Sequence, residues 1–323
     1  MFWRKYFADG TSSERALLER STAGEGITVE KLKAWYQASR PPFFVATLIP
    51  LLLGGAVAHA EGGWDTTRWL VVLLASFLVH LATNLANDYF EYSTGADDGE
   101  SIGGSRVLQQ GKITASEIRN ALIVLYAAAL LCGIWIVRVS EVWWLPLVML
   151  FAFVSSLFYT APPVRYGYRG LGEVFVGINM GPVMVAGTAA ALTGHFMPRA
   201  LWLSLPIGLM VALILYYQSL SDIEADRAAG KLTIAARLGR TSAIWGFRIF
   251  VTATLLSIII LVLRGSLHPF ALASIMSIAP AYKVDRMISR TPDWKGLHDR
   301  GGAVRMFYLV TGAILILTVM IFG

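Results

Sequence analysis

Cysteine is almost missing from this chain. Cys132 is the only one among 323 residues, and it sits in an apolar run, which excludes a disulfide framework and thiolate metal sites. Histidine is nearly as scarce, and His59, His80, His195, His268 and His298 are scattered without ligand spacing. Charge is sparse too. Only 15% of residues are charged against 56% hydrophobic, with a mean hydropathy of +0.60, too apolar for a soluble protein. The chain opens MFWRKYF and stays polar to about residue 28, with neither an apolar core nor a cleavage site, so this stretch does not read as a signal peptide.

What the chain has instead is long apolar runs. Runs of about 18 or more residues read as transmembrane helices, and they fall at 43–60, 69–87, 118–137, 142–160, 171–192, 201–220, 243–263, 267–288 and 303–322. The runs are continuous rather than alternating, which favours helices over a barrel. The expected fold is an all-α membrane protein of about nine transmembrane helices in a bundle. Residues 1–42 read as a cytoplasmic and interfacial segment, and 43–323 as a single transmembrane domain. Within ITVEKLKAWYQASRPPFF, Ile27, Leu32, Trp35 and Tyr36 alternate with Lys31 and Lys33, predicting an interfacial helix ahead of the first span.

Basic residues set the orientation. With nine spans, one set of loops holds only Arg68, Arg138, Arg199 and Arg264, while the rest of the 27 Lys and Arg lie in or beside the other set. This predicts a cytoplasmic N-terminus and an external C-terminus, in a bacterial or archaeal plasma membrane. The net charge of +6 suits an anionic membrane surface or an anionic substrate, and no nucleic-acid partner is expected.

Two acidic motifs stand where carboxylates are costly, each at the cytoplasmic exit of a span. The first holds Asn84, Asn87, Asp88 and Glu91 in LATNLANDYFEYSTGADD; the second holds Asp222, Glu224 and Asp226 in YYQSLSDIEADRAAGKLT. Both are followed by Gly-Lys-aliphatic-Thr, at 111–114 and 230–233. This suggests two four-helix repeats plus one added helix. The loops after the second, sixth and eighth spans are roughly 20–30 residues against a usual 4–6, and are expected to form a cytoplasmic cap over the site.

Asn84, Asp88 and Glu91 fall at i, i+4 and i+7, on one helical face. Asp222 and Asp226 share a face if the helix continues, and Glu224 then points about 160° away. Hard oxygen donors without His or Cys favour Mg²⁺, which takes one or two carboxylates and completes its shell with water and phosphate. The candidate metal ligands are Asn84, Asp88, Glu91, Asp222 and Asp226, with Asp88 and Asp222 the most critical. Asn87, Arg106, Lys112, Tyr159, Arg165, Arg227, Lys231 and Arg237 lie on the same side, where the basic ones could hold a pyrophosphate. Carboxylate pairs with basic residues at the mouth of an apolar bundle fit a long isoprenyl diphosphate. Asp98 and Glu100 read as a solvated loop, with Asp97 worth testing as a ligand; Arg237 and Arg240 read equally as markers of the cytoplasmic side. His80 and Asn179 read as groups satisfying neighbouring helices.

At these residues the chain resembles the intramembrane aromatic prenyltransferases of the UbiA superfamily. The resemblance covers Arg40-Pro41, Asn87–Glu91, YTAPPVRYGYRGLGE at 159–173 and SDIEADRAAGKLTIAARLG at 221–239. Glu91 stands where Asp is usual, and Gly95 where a further Asp can occur. The pattern from Asn87 to Asp97 is more similar to the 1,4-dihydroxy-2-naphthoate prenyltransferases of menaquinone synthesis. The resemblance implies Mg²⁺-dependent transfer of a polyprenyl group from its diphosphate to an aromatic acceptor. Tyr89, Phe90 or Tyr159 would face the allylic cation. Other acceptors remain open: 4-hydroxybenzoate, haem, a tocopherol-type precursor or a glycerol phosphate lipid. An ion-coupled transporter is the alternative of a different class, disfavoured because both motifs lie on one side and neither breaks a span near the bilayer centre. The signature of CDP-alcohol phosphotransferases is missing.

Overall fold

In the computed structural model, which describes residues 28–95, 104–291 and 294–323, every regular element among the described residues is a helix. MFWRKYF, Asp97, Asp98 and Glu100 lie outside the described residues. The chain runs as α1 (Val29–Ser39), α2 (Phe44–Ala60), α3 (Thr66–Ser93), α4 (Ala115–Ser140), α5 (Leu145–Phe158), α6 (Gly172–Ile178), α7 (Met184–Thr193), α8 (Pro198–Ser221), α9 (Ile223–Ala228), α10 (Ile234–Leu263), α11 (Ile278–Arg290) and α12 (Gly302–Phe322). A π-helical turn, Asn179–Val183, joins α6 to α7 around Pro182, whose missing N–H breaks the regular ladder.

The expected helix ahead of the first span is present as α1. Thr28 caps it by accepting the Lys31 N–H at 3.3 Å, and Arg40, in a left-handed conformation (φ 51°), ends it before a single 3₁₀ turn at Pro41–Phe43. Ala34 and Ala38 bury it against Ala82, Leu85 and Ala86 of α3, so α1 is packed onto the bundle.

Seven helical stretches among the described residues are long and apolar enough to cross a bilayer: Val29–Ala60, Thr66–Ser93, Ala115–Ser140, Gly172–Thr193, Pro198–Ser221, Ile234–Leu263 and Gly302–Phe322. The other two expected spans differ from simple membrane helices. The 142–160 run yields only the 14-residue α5, because the chain leaves the helix at Tyr159 ahead of Pro162-Pro163. The 267–288 run is a 3₁₀ stretch, Pro269–Ser277, followed by α11, which is amphipathic: it buries Ala281, Val284 and Ile288 and exposes Lys283 and Arg286. This segment still runs the length of the bundle. His268 stacks on Phe322 at 3.9 Å at one end, and Arg240 donates to the Thr291 carbonyl at 3.5 Å at the other.

The large core joins α2, α7, α8, α10, α11 and α12 around Tyr216, Phe247, Phe307 and Tyr308. Small residues bring backbones together: a Cβ on Gly181 would lie 2.8 Å from the Gly208 Cα, so larger residues would push the π turn off α8. The two Gly-Lys-aliphatic-Thr segments have the same local structure. Gly111 and Gly230 are left-handed (φ 63° and 69°), and Thr114 and Thr233 cap α4 and α10 by accepting the N–H of Glu117 and Ala236, each at 3.2 Å. The repeated sequence is thus a helix-entry device that follows each acidic motif.

Candidate active site

The first acidic motif occupies the last turns of α3, and its side chains go to different partners. Asn84 donates its amide to the Ser39 carbonyl at 3.2 Å, tying α3 to the end of α1. Asn87 accepts from the Thr160 hydroxyl at 3.1 Å. Asp88 is buried; its Oδ1 receives the Arg40 guanidinium and, at 3.2 Å, the Ser105 N–H, and its Oδ2 receives the Ser105 hydroxyl. Glu91, one turn on and also buried, pairs with Lys231 Nζ at 3.2 Å.

The second motif begins at a break. α8 ends at Ser221, Asp222 leaves helical geometry (φ −105°, ψ 8°), and α9 starts at once. The uninterrupted helix expected through this motif is therefore not present. The Asp226 N–H nevertheless donates to the Asp222 carbonyl at 2.7 Å, so the two aspartates stay one turn apart. Asp226 is buried and Glu224 exposed, as the helical phase requires.

Lys231 joins the motifs. Its ammonium lies 3.2 Å from Glu91 and 3.7 Å from Asp226, both nearly inaccessible. Burial works against this ammonium, but Glu91 and Asp226 outweigh it and hold it protonated well above the ordinary lysine value. Burial pushes the Asp226 carboxyl up to about 6; Lys231 pulls it down, and neighbouring Asp222 and Glu91 push it up again. The two acidic motifs thus meet across one cation.

Beside this centre stands the 159–173 segment. The Tyr159 ring packs edge-on against Tyr166, with centroids 5.4 Å apart, and lies over Gly167 and Gly172, where a Cβ would come within 3.0 and 3.2 Å of it. The Arg165 guanidinium sits 3.9 Å from the Tyr168 ring centroid and donates to the Thr94 hydroxyl at 3.3 Å, while Lys231 lies 5.4 Å from the same centroid. Burial, with Glu91 next, pushes the Tyr168 hydroxyl up to about 12. Glu173 is buried, and its Oε1 has no partner among the described residues.

The other expected phosphate ligands lie elsewhere. Lys112 donates to the Gln37 side chain at 3.1 Å on the α1 surface. Arg227 donates to the Ala236 carbonyl at 2.7 Å and braces the start of α10. Arg237 donates to the Leu232 and Arg169 carbonyls at 3.1 and 3.0 Å. Arg106 makes a left-handed turn (φ 59°) one residue after Ser105. His80 meets the Thr47 hydroxyl at 2.6 Å between Phe44 and Phe77, a helix-satisfying role. Asn179 donates to the Phe175 carbonyl at 2.8 Å within its own helix.

Sequence reasoning missed Ser105, Tyr168 and Glu173, and saw Arg40 only as part of a motif. For Tyr168 and Glu173 the available signal was the 159–173 segment, with its three tyrosines and one acid.

Among the described residues no three acidic, His or Cys groups converge into a closed metal cage. The donors at the site, Asp88, Glu91, Asp222 and Asp226, are hard carboxylate oxygens of the kind that Mg²⁺ takes one or two at a time, with water and phosphate completing its shell. The position between Glu91 and Asp226 already holds a cation, the Lys231 ammonium, so the donor set suits positive charge.

The description "UbiA prenyltransferase family" matches residues 47–295 of the chain. The 1,4-dihydroxy-2-naphthoate octaprenyltransferase of Bacillus subtilis is 28% identical over 81% of this chain and 85% of its own length. The protein of the same name from Haemophilus influenzae is 31% identical over 65% of this chain and 70% of its own. A UbiA homolog from Archaeoglobus fulgidus, solved bound to GPP and Mg²⁺, superposes with a TM-score of 0.61 at 15% identity, covering 87% of this chain and 99% of that one. The apolar helices, the meeting of two acidic motifs and these likenesses agree: the chain is an integral membrane prenyltransferase and belongs to the UbiA prenyltransferase family.

Proposed function

We propose that this enzyme transfers a polyprenyl group from its diphosphate to 1,4-dihydroxy-2-naphthoate, releasing diphosphate and CO₂. The observation that carries the reading is Lys231 held between Glu91 and Asp226, with Arg165 and Tyr168 alongside. The B. subtilis and H. influenzae relatives, both named for that acceptor, support it. In this reading the site faces the cytoplasm from the plasma membrane, an orientation that the basic-residue asymmetry supports.

Asp88 and Glu91 from α3, with Asn84 one turn deeper, and Asp222 and Asp226 from the second motif would hold Mg²⁺. When bound, Mg²⁺ supplies Lewis-acid neutralisation of the diphosphate as it leaves. Lys231 and Arg165 bind the diphosphate oxygens and offset the charge that grows on them as the C1–O bond breaks. Arg40 orients Asp88, and Asn87 fixes Thr160 beside it. The faces of Tyr159 and Tyr168 stabilise the allylic cation, and the apolar helices around it exclude the water that would quench it. The ring carbon bearing the carboxylate bonds to C1 of the prenyl group. The carbon–carboxylate bond then breaks, its electron pair returns to the ring, and CO₂ leaves.

The test is incubation of purified protein with a prenyl diphosphate and a panel of aromatic acids, with Mg²⁺ or with EDTA, read by product mass. The expected result is a Mg²⁺-dependent, decarboxylated naphthalenoid product. Turnover of 4-hydroxybenzoate without turnover of the naphthoate would refute the acceptor assignment and leave the family unaffected.

A further inference from the structure

A cleft of about 230 Å³ lies between the start of α2, the last turns of α8 and the start of α12. Its walls include Phe43, Tyr217, Ile214 and Val304, and its polar lining is Gln218 and Arg305. Two of its lining residues are close in sequence to the two halves of the acidic centre. Phe43 follows Arg40, the Asp88 partner, by three residues, and Gln218 lies one helical turn before Asp222.

The two polar groups are uncommitted. Among the described residues Arg305 pairs with no carboxylate, and its guanidinium carbon stands 5.8 Å from the Phe43 ring centroid. The Gln218 side-chain amide makes no hydrogen bond there, although its backbone carbonyl accepts from Ser221 at 2.9 Å. Tyr217 is different: its hydroxyl is used by the Leu297 carbonyl at 2.8 Å, so it offers the cleft only its ring. An aromatic wall with one planar cation and one neutral amide does not match a polyprenyl tail, which has no polar group, or a diphosphate, which asks for several cations. It matches a flat ring bearing one carboxylate, which a guanidinium grips in the plane of the ring while the aromatic side chains cover its faces.

We infer that this cleft binds the aromatic acceptor by its carboxylate, with Arg305 as the specificity-determining residue and Gln218 as its neutral partner. The inference rests on the acceptor reading proposed above and adds the residue that recognises the acid. Holding the carboxylate here sets the ring beside the acidic centre, where C1 of the prenyl diphosphate is exposed.

The experiment uses the full chain in detergent with EDTA and two fluorescent probes, 1-hydroxy-2-naphthoate and 1-naphthol. The wild type should bind the acid about 10-fold or more tighter than the naphthol, the scale of a charge-assisted pair. Arg305→Gln should bring that ratio close to one while leaving naphthol affinity within about two-fold, which shows that the cleft is intact. Arg305→Lys should keep part of the preference. In turnover, Arg305→Gln should raise KM for the naphthoate by a similar factor and leave KM for the prenyl diphosphate unchanged. A wild type without preference for the acid, an Arg305→Gln variant that keeps it, or a KM effect confined to the prenyl diphosphate would each overturn the inference. Failure of the wild type to prenylate any aromatic acid would instead refute the acceptor reading itself.

Discussion

Replacing Lys231 by Gln removes a cation that the two acidic motifs share. Glu91 and Asp226 are 8% and 7% exposed at their side chains, so they cannot turn to water for compensation. Breaking a buried ion pair from one side costs about 3–5 kcal/mol. Two features reduce this. Lys231 is itself 23% exposed, and Asp226, already pushed up to about 6, can escape its charge by taking a proton, which at pH 7 costs only about 1.4 kcal/mol. The expected loss in metal-free protein is therefore about 2 kcal/mol at pH 7 and less at pH 6. At roughly 2 °C or more per kcal/mol for a chain of this size, thermal unfolding in detergent with EDTA should occur about 4 °C or more lower than in the wild type. Millimolar Mg²⁺ should recover more of that gap in the variant than it adds to the wild type, because a divalent ion would take up the abandoned negative charge. Arg227→Gln, at a side chain that donates to the Ala236 carbonyl rather than to either acid of the pair, is the control and should show no such Mg²⁺ response. An unchanged unfolding temperature in EDTA, or an equal Mg²⁺ shift in both proteins, would refute the shared-cation reasoning.

Asp222→Asn should abolish turnover in a folded protein, and Asp88→Asn should do so with an added stability loss of about 3 kcal/mol from the broken Arg40 pair, read by the same melts. Glu224→Gln, at an exposed position, should keep most of its activity in the same assay. Mg²⁺ should need ionised Asp226, so the apparent Mg²⁺ affinity of the metal-free protein, read by titration, should weaken as pH drops through about 6. The folded Asp226 carboxyl binds a proton more tightly than an unfolded one, so its contribution to stability is present at low pH and is lost as pH rises from about 4 to about 6. The Asp226→Asn variant should lack this loss of stability in its melts at about pH 4 to 6 and should not turn over. Reporters fused after Gly323 and inserted near Thr94 should face opposite sides of the membrane, and two reporters on one side would mean an even number of crossings between them.

The helices were legible because continuous apolar runs leave the chain few alternatives in a bilayer. The runs at 142–160 and 267–288 were less so. Hydropathy does not register the Pro162-Pro163 pair just beyond the first run, where α5 has already ended, and it averages over Lys283, Asp285 and Arg286, which make α11 amphipathic. The repeat was visible in Gly-Lys-aliphatic-Thr, and its physical meaning, a left-handed glycine and a threonine cap, is local enough to read from four residues. The break at Asp222 was not, since no proline or glycine marks it. Nor does sequence spacing tell that Lys231, rather than Arg227 or Lys112, reaches the acids. That choice depends on the path of the chain between α9 and α10, and Arg227 faces the opposite way, onto the α10 backbone.

The most direct test of the central claim is a carbon balance. Purified enzyme, Mg²⁺, a polyprenyl diphosphate and 1,4-dihydroxy-2-naphthoate carrying a ¹³C label in its carboxyl group should release labelled CO₂ and diphosphate in equal amounts, with an unlabelled prenylated ring as the product. Diphosphate release with the label retained in the product, or no prenyl transfer to this acceptor at all, would contradict the account.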